Sequence, residues 1–158
     1  MPKEKTKCQN DEMVIVVDTR ETLAYTFANI KPRPEIIYKK LDSGDYSLLS
    51  FENKVTIERK EKNDLFSSFG RNRNRLQKEF ERLSQFQYAG LVIECNLSDI
   101  FKNPPARSRM NPKSVFRSLI SWSVYYGVHI WTAPDRAFSE KLTYLILEFW
   151  WKKNVEQI

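Results

Sequence analysis

The sequence predicts an α/β domain in which a mixed central β-sheet is flanked by α-helices. Short β-branched apolar runs alternate with longer stretches whose apolar residues recur at helical spacing. One pair of runs lies close enough to form an antiparallel hairpin. At 158 residues, with no Gly/Ser linker and no internal repeat, the chain fits one domain of ordinary size. We expect a frayed polar tail over residues 1–12 and a single domain over 13–155.

Met13 to Val17 is a continuous apolar run, expected as a strand buried on both faces that delivers Asp18 at its C-terminal end. Thr22 to Asn29 is expected as a short helix, after which Lys31-Pro32-Arg33-Pro34 forces an extended connection into a second strand, Glu35 to Lys39. Leu41 to Gly44 turns the chain. Tyr46 to Ser50 and Lys54 to Lys60, separated by Phe51-Glu52-Asn53, form the hairpin.

From Asp64 to Phe86, Phe69, Leu76, Phe80 and Leu83 share one face of what reads as the longest helix, with Asn63 or Asp64 as its cap. Arg71, Arg75, Lys78 and Arg82 line up on roughly the opposite face. That stripe is either a solvated surface balanced by Glu79 and Glu81 or a set of phosphate contacts; its nearness to the acids favours DNA. Gly90 and Leu91 to Ile93 form a buried strand ending in Glu94. A loop of about fifteen residues follows. Lys102, Arg107, Arg109 and Lys113 make it basic, which fits either a strand clamp or disorder without function.

Asn111 as cap and Pro112 in the first turn start a helix that runs through Tyr126 and stops at Gly127. Val128 to Trp131 returns to the sheet. After Pro134-Asp135, a last helix carries Phe138, Leu142, Leu145, Ile146 and Phe149 on its apolar face and ends near Trp151. Trp150 and Trp151 are more than one helix face buries. They mark either a surface for self-association or a partner subunit, or packing back onto the sheet.

The chain holds 26 Lys and Arg against 20 Asp and Glu, a net charge of +6, which suits a polyanionic partner. Cys8 and Cys95 have neither metal-ligand spacing nor a reason to pair, so an intracellular setting is expected, cytoplasmic, nucleoid-associated or nuclear. No apolar run reaches membrane-spanning length and no signal peptide is visible, so no membrane partner is expected. His129, between Val128 and Ile130, reads as a structural or edge residue, and Cys95 as a small buried apolar one.

The chemistry concentrates between Gly44-Asp45 and Glu58-Arg59-Lys60, where twelve residues separate the two acids. Along a strand, Val55, Ile57 and Arg59 face one side while Thr56, Glu58 and Lys60 face the other. Glu58 and Lys60 thus share a face. Mg²⁺ takes hard oxygen ligands from one or two carboxylates and leaves its other positions to water and substrate phosphate. Asp45 and Glu58 supply such carboxylates, and Lys60 is placed to steer the attacking water and offset charge on the phosphate. The pattern suggests metal-dependent phosphodiester hydrolysis.

Val17-Asp18-Thr19-Arg20-Glu21, Gly44-Asp45-Tyr46 and Glu58-Arg59-Lys60, followed by Asp64-Leu65 opening a helix with Arg71, Arg75, Gln77 and Arg82, resemble the motif series of the XPF-type structure-specific endonuclease domain. The resemblance runs from Met13 to about Trp150. It implies a restriction-endonuclease-like fold, a Mg²⁺ or Mn²⁺ requirement, and cleavage of branched DNA near duplex/single-strand junctions. By position it makes Asp45, Glu58 and the backbone carbonyl of Arg59 metal ligands, with Asp18 extending the acidic site. It places Glu21 and Asp64 around the metal, has Arg59 orienting acids or phosphate, and leaves Arg20 either on the scissile strand or paired with an acid. Family members usually add a C-terminal tandem helix-hairpin-helix module that dimerises and grips DNA; none is recognisable here, so substrate choice is expected to differ. Cys8 to Glu12 reads as a native tail rather than a linker, so a free-standing nuclease is expected in preference to a domain excised from something longer.

Two other readings stay open. The first is a catalytically silent DNA-binding or scaffold subunit, although Asp18, Glu21, Asp45, Glu58, Lys60 and Asp64 are all present. The second is a resolvase, restriction-type enzyme or RNA nuclease on the same core.

Overall fold

In a computed structural model that describes residues 12–156, the apolar runs become six strands. These are β1 (Val14–Val17), β2 (Glu35–Tyr38), β3 (Tyr46–Leu48), β4 (Val55–Lys60), β5 (Tyr88–Ile93) and β6 (His129–Thr132). They form one sheet in the order β2-β1-β3-β4-β5-β6. The pairs β1/β2, β4/β5 and β5/β6 are parallel, and β1/β3 and β3/β4 are antiparallel. The sheet is therefore mixed, as expected. Its middle strands are buried on both faces, which is why β1 reads as an unbroken apolar run. The tail expected over residues 1–12 lies, apart from Glu12, outside the described residues.

One face of the sheet is covered by α1 (Lys62–Phe69), α2 (Arg73–Leu83) and α4 (Pro112–Tyr126), whose Phe66, Phe69, Phe80, Val115 and Leu119 pack on Leu91 and Ile93. The other face is covered by α5 (Arg136–Trp151) together with Tyr25 and Phe27, packed on Ile15, Val17, Val55, Ile57 and Val92. A short α3 (Leu97–Lys102) precedes α4, and one π-helical turn, Lys152–Glu156, follows α5. No helix among the described residues is long and apolar enough to cross a membrane.

Several expected elements are corrected. Thr22 to Asn29 is irregular rather than helical. Tyr25 and Phe27 both point inward, and residues two apart cannot share one face of a helix. The Tyr25 ring stacks on Tyr46 with centroids 5.1 Å apart, and the Tyr25 N–H donates to the Tyr46 hydroxyl at 2.9 Å. The long helix from Asp64 to Phe86 is two helices, capped at Glu61 rather than at Asn63 or Asp64 and broken over residues 70–72. Gly70 and Asn72 are weak helix formers, and a Cβ on Gly70 would stand 3.3 Å from Met110 Sδ, so glycine lets the later loop press against the break. That loop is shorter than expected because α3 forms within it, leaving 103–111 irregular.

The last helix is rotated from its expected face. Ser139, Thr143, Leu147, Trp150 and Trp151 are buried, while Phe138 is 53% and Phe149 64% exposed. Small residues at 139 and 143 let α5 approach the sheet closely. Trp150 and Trp151 pack back onto Phe51, with centroids at 5.3 and 5.8 Å, so they are core and not a partner surface. Thr143 Oγ1 is buried without a hydrogen-bond partner among the described residues. Thr143→Val, which keeps the shape and drops the hydroxyl, is expected to raise unfolding free energy by about 1 kcal/mol in chemical denaturation.

Candidate active site

The hairpin of β3 and β4 is what brings the two acids together. Tyr46 pairs with Ile57, the Asp45 N–H donates to the Ile57 carbonyl at 2.8 Å, and the Arg59 N–H donates to Asp45 Oδ2 at 2.8 Å. The turn before Asp45 depends on Gly44, whose φ is +81° and whose hydrogen lies where a Cβ would meet Thr56 Oγ1 at 1.9 Å. Thr56 Oγ1 in turn donates to the Ser43 carbonyl at 2.9 Å, locking that turn onto β4. Glu58 and Lys60 project on one face of β4, with Lys60 Nζ 3.8 Å from Glu58 Oε1 and both side chains nearly buried.

These residues line a cleft of about 450 Å³ between the hairpin, α1 and α2. Asp18, Arg20, Glu21, Asp45, Glu58, Arg59, Lys60 and Asp64 all border it, as do Arg75 and Arg82. Burial pushes the Asp45 carboxyl up to about 7, with Glu21 and Glu79 adding to the rise against the Arg59 N–H and Lys60. Burial, then Asp45 and Glu79, push Glu58 well above the usual carboxylate range. Two carboxylates held close together out of water stabilise a cation between them. Among the described residues, no three His, Cys, Asp or Glu side chains converge as an ion cage. The fit to Mg²⁺ or Mn²⁺ therefore rests on two acids and open positions, which is how Mg²⁺ is commonly held.

The raised Asp45 carboxyl has a stability consequence. Between its ordinary value near 3.8 and about 7, the folded chain holds a proton that the unfolded chain releases, so this group's contribution to stability falls as pH rises through that window. Asp45→Asn, whose amide oxygen still accepts from Arg59, is expected to stabilise the metal-free protein. The gain should be absent near about pH 4 and grow as pH rises to about 7, followed by thermal unfolding across pH.

Other expected site residues are deployed differently. Both Asp18 oxygens are taken: Oδ1 accepts from the Arg20 N–H and Nε at 2.8 Å, and Oδ2 from Arg20 Nη2 at 3.0 Å and the Leu41 N–H at 2.6 Å. Burial alone would raise its pKa, but these donors hold it below the ordinary value. Asp18 organises Arg20 at the cleft rim, and Arg20, with its side chain 61% exposed, keeps an open flank. The Arg59 guanidinium turns to the opposite face of the sheet. There it meets Glu94 at 2.6 Å, Glu61 at 2.9 Å and Glu21 at 3.5 Å, buried over the Tyr25 ring, so it orients acids and does not face phosphate. Asp64 sits in the first turn of α1 facing the cleft.

The cationic stripe does not survive as one face. Arg75 and Arg82 enter the cleft, Lys78 does not, and Arg71 lies in the helix break beside Arg107 and Arg109. Gln77 points away and bonds the Tyr126 hydroxyl. Two functional residues escaped the sequence reading. Glu79, taken there as charge balance, reaches the Glu58 carboxyl; its spacing of four from Arg75 and three from Arg82 was the available signal. Glu94, at the end of β5, accepts from Arg59 and from the Tyr25 hydroxyl at 2.7 Å. Nothing local marks that partnership. His129 stacks on Tyr88 at 4.4 Å on the edge strand, away from the cleft, and Cys95 is buried and free among the described residues.

A model of the ERCC4 domain matches residues 17–146. The chain belongs to the ERCC4-domain family. This agrees with its resemblance to XPF-type nuclease domains, and the matched span contains every acid of the cleft. Among solved structures, XPF from Aeropyrum pernix superposes with a TM-score of 0.69 at 20% identity, covering 86% of this chain and 60% of that one. The same protein in complex with DNA gives 0.70 at 19% identity, covering 90% and 67%. The fold is thus the restriction-endonuclease-like α/β core of XPF, and this ERCC4 domain spans less than two thirds of the first of those chains. No curated protein matches it.

Proposed function

We propose that this domain is a divalent-metal-dependent DNA endonuclease that hydrolyses phosphodiester bonds at branched, flap or fork DNA inside the cell. The observation that carries the reading is the pairing of Asp45 and Glu58 in one cleft, both raised by burial and Glu58 further by Asp45, with the Lys60 ammonium 3.8 Å from Glu58. The known DNA complex of a structural relative supports DNA as the partner.

In this reading Asp45, Glu58 and the Arg59 carbonyl would hold Mg²⁺ or Mn²⁺, which would supply Lewis-acid polarisation of the scissile phosphate and charge neutralisation between the acids. The Arg59 N–H keeps Asp45 oriented, and the ring of Glu94, Glu61 and Glu21 around the Arg59 guanidinium keeps that strand segment in place. Lys60 steers the attacking water and offsets the charge gathering on the phosphate. Arg20, Arg75 and Arg82 at the rim bind flanking phosphates. Self-association, or pairing with a second subunit, belongs to the same proposal.

The test is a panel of labelled linear, flap, fork and four-way DNA with matched RNA, digested with and without Mg²⁺ or Mn²⁺. Metal-dependent cutting of branched DNA is expected. Binding without cutting would make the domain a scaffold, and preferential cutting of RNA would move it to the RNA nucleases. Replacing Arg75 and Arg82 together by Ala is expected to weaken duplex binding and to reduce the slope of log affinity against log salt by about 2, since each phosphate contact on duplex DNA contributes about 0.9. Fluorescence anisotropy over a salt series checks this. An unchanged slope would return both arginines to a solvated role.

A further inference from the structure

A second groove, of about 880 Å³, runs along the neighbouring face of α1 beside the acid cleft. It is walled by the helix break at Gly70-Arg71 and by the 103–111 segment, and the two cavities share Ser67. Its floor is apolar, from Met110, Pro105 and Ala106 lying over the buried Phe66. Its rim carries Arg71, Arg107 and Arg109, drawn from segments more than thirty residues apart, and no carboxylate among the described residues lines it. None of those three guanidinium groups makes an ion pair or a side-chain hydrogen bond among the described residues. Three uncompensated cations around an apolar floor suit a ligand that presents phosphates and flat apolar surface together. A duplex turns its base faces inward and gains nothing from such a floor, whereas an unpaired strand exposes them.

We infer that this groove is a subsite for the unpaired arm of the DNA substrate, which leaves the acid cleft over Ser67 and lies between the helix break and the 103–111 segment. The inference rests on the nuclease reading for the identity of the strand in the cleft. It adds a structural basis for choosing branched over continuous duplex DNA: a substrate with an unpaired arm fills both cavities and a plain duplex fills one. Gly70 is part of the device, since the missing Cβ lets Met110 lie against the break and help form the floor.

The test uses the whole chain in EDTA, so that binding is read apart from cleavage, with labelled oligothymidylate, a blunt duplex and a fork built on that duplex. Arg71→Ala/Arg107→Ala/Arg109→Ala is expected to weaken oligothymidylate and fork binding about tenfold and to lower the single-strand salt slope by about 2, from three contacts of about 0.7 each, with duplex affinity changed less than about twofold. The matching triple Lys variant, which keeps the charge, should retain most single-strand binding; because the arginines are exposed and unpaired, melting temperatures should not move. Equal loss on duplex and single strand, unchanged single-strand binding, or tighter binding of oligouridylate than of oligothymidylate would each overturn the proposal. If no DNA is cut under any metal but the triple variant still loses single-strand binding selectively, the nuclease reading fails and the groove stands. If branched DNA is cut while the triple variant binds single strands as well as the parent, the groove fails and the nuclease reading stands.

Discussion

Asp45→Asn and Glu58→Gln are each expected to lower cleavage of forked DNA by about a thousandfold or more, about 4 kcal/mol of transition-state stabilisation. The expectation follows from where the acids sit. Both carboxylates are held away from bulk water and close to one another, so each depends on a cation for its charge and each supplies the cation with an oxygen that an amide replaces poorly. The fold should survive, because an Asn at 45 still accepts the Arg59 N–H and a Gln at 58 relieves its crowding with Glu79. A second readout separates loss of metal from loss of structure. Mn²⁺ should raise the melting temperature of the parent protein and should hardly move that of either variant. Undiminished cutting by either variant would remove that acid from the metal site.

Gly44→Ala is expected to be strongly destabilising, costing about 2–5 kcal/mol of stability. An L-residue at φ +81° pays about 1–2 kcal/mol for the left-handed backbone, and forcing a Cβ to 1.9 Å from Thr56 Oγ1 adds about 1–3 kcal/mol of overpacking. The methyl also strikes the hydroxyl that ties the turn to β4, so Asp45 moves with it and activity should fall beyond what unfolding accounts for. Thr56→Ala in the same chain removes the clash and leaves the φ cost. The double variant should therefore be more stable than the sum of the two single losses by about 1–2 kcal/mol, measured by urea denaturation. A purely additive cycle would show that the turn yields in some other direction.

The acids were legible because they are tied to local pattern. A β-branched run ending in Asp18, a Gly-Asp turn, and a period of two that places Glu58 and Lys60 on one side each follow from a few neighbouring residues, and the strands formed as that pattern required. Arg71, Arg75, Lys78 and Arg82 were legible only as a spacing on an unbroken helix. Gly70 and Asn72 interrupted the helix, and the stripe divided between two cavities. Tyr25 and Phe27 were misplaced for a related reason: their inward turn is set by Tyr46 and by Glu140, which accepts the Phe27 N–H, and neither is a sequence neighbour.

By itself the chain determined its strands, the hairpin, the pair of carboxylates and the lysine beside them, because periodicity and turn chemistry act over a few residues. Tertiary packing decided which side of α5 faces the sheet, that Arg59 turns away from the cleft toward Glu94, that Glu79 joins the acids, and that a basic groove opens beside α1. Those choices depend on which surfaces meet across the fold, and the burial energy that settles them belongs to pairs of elements distant in sequence.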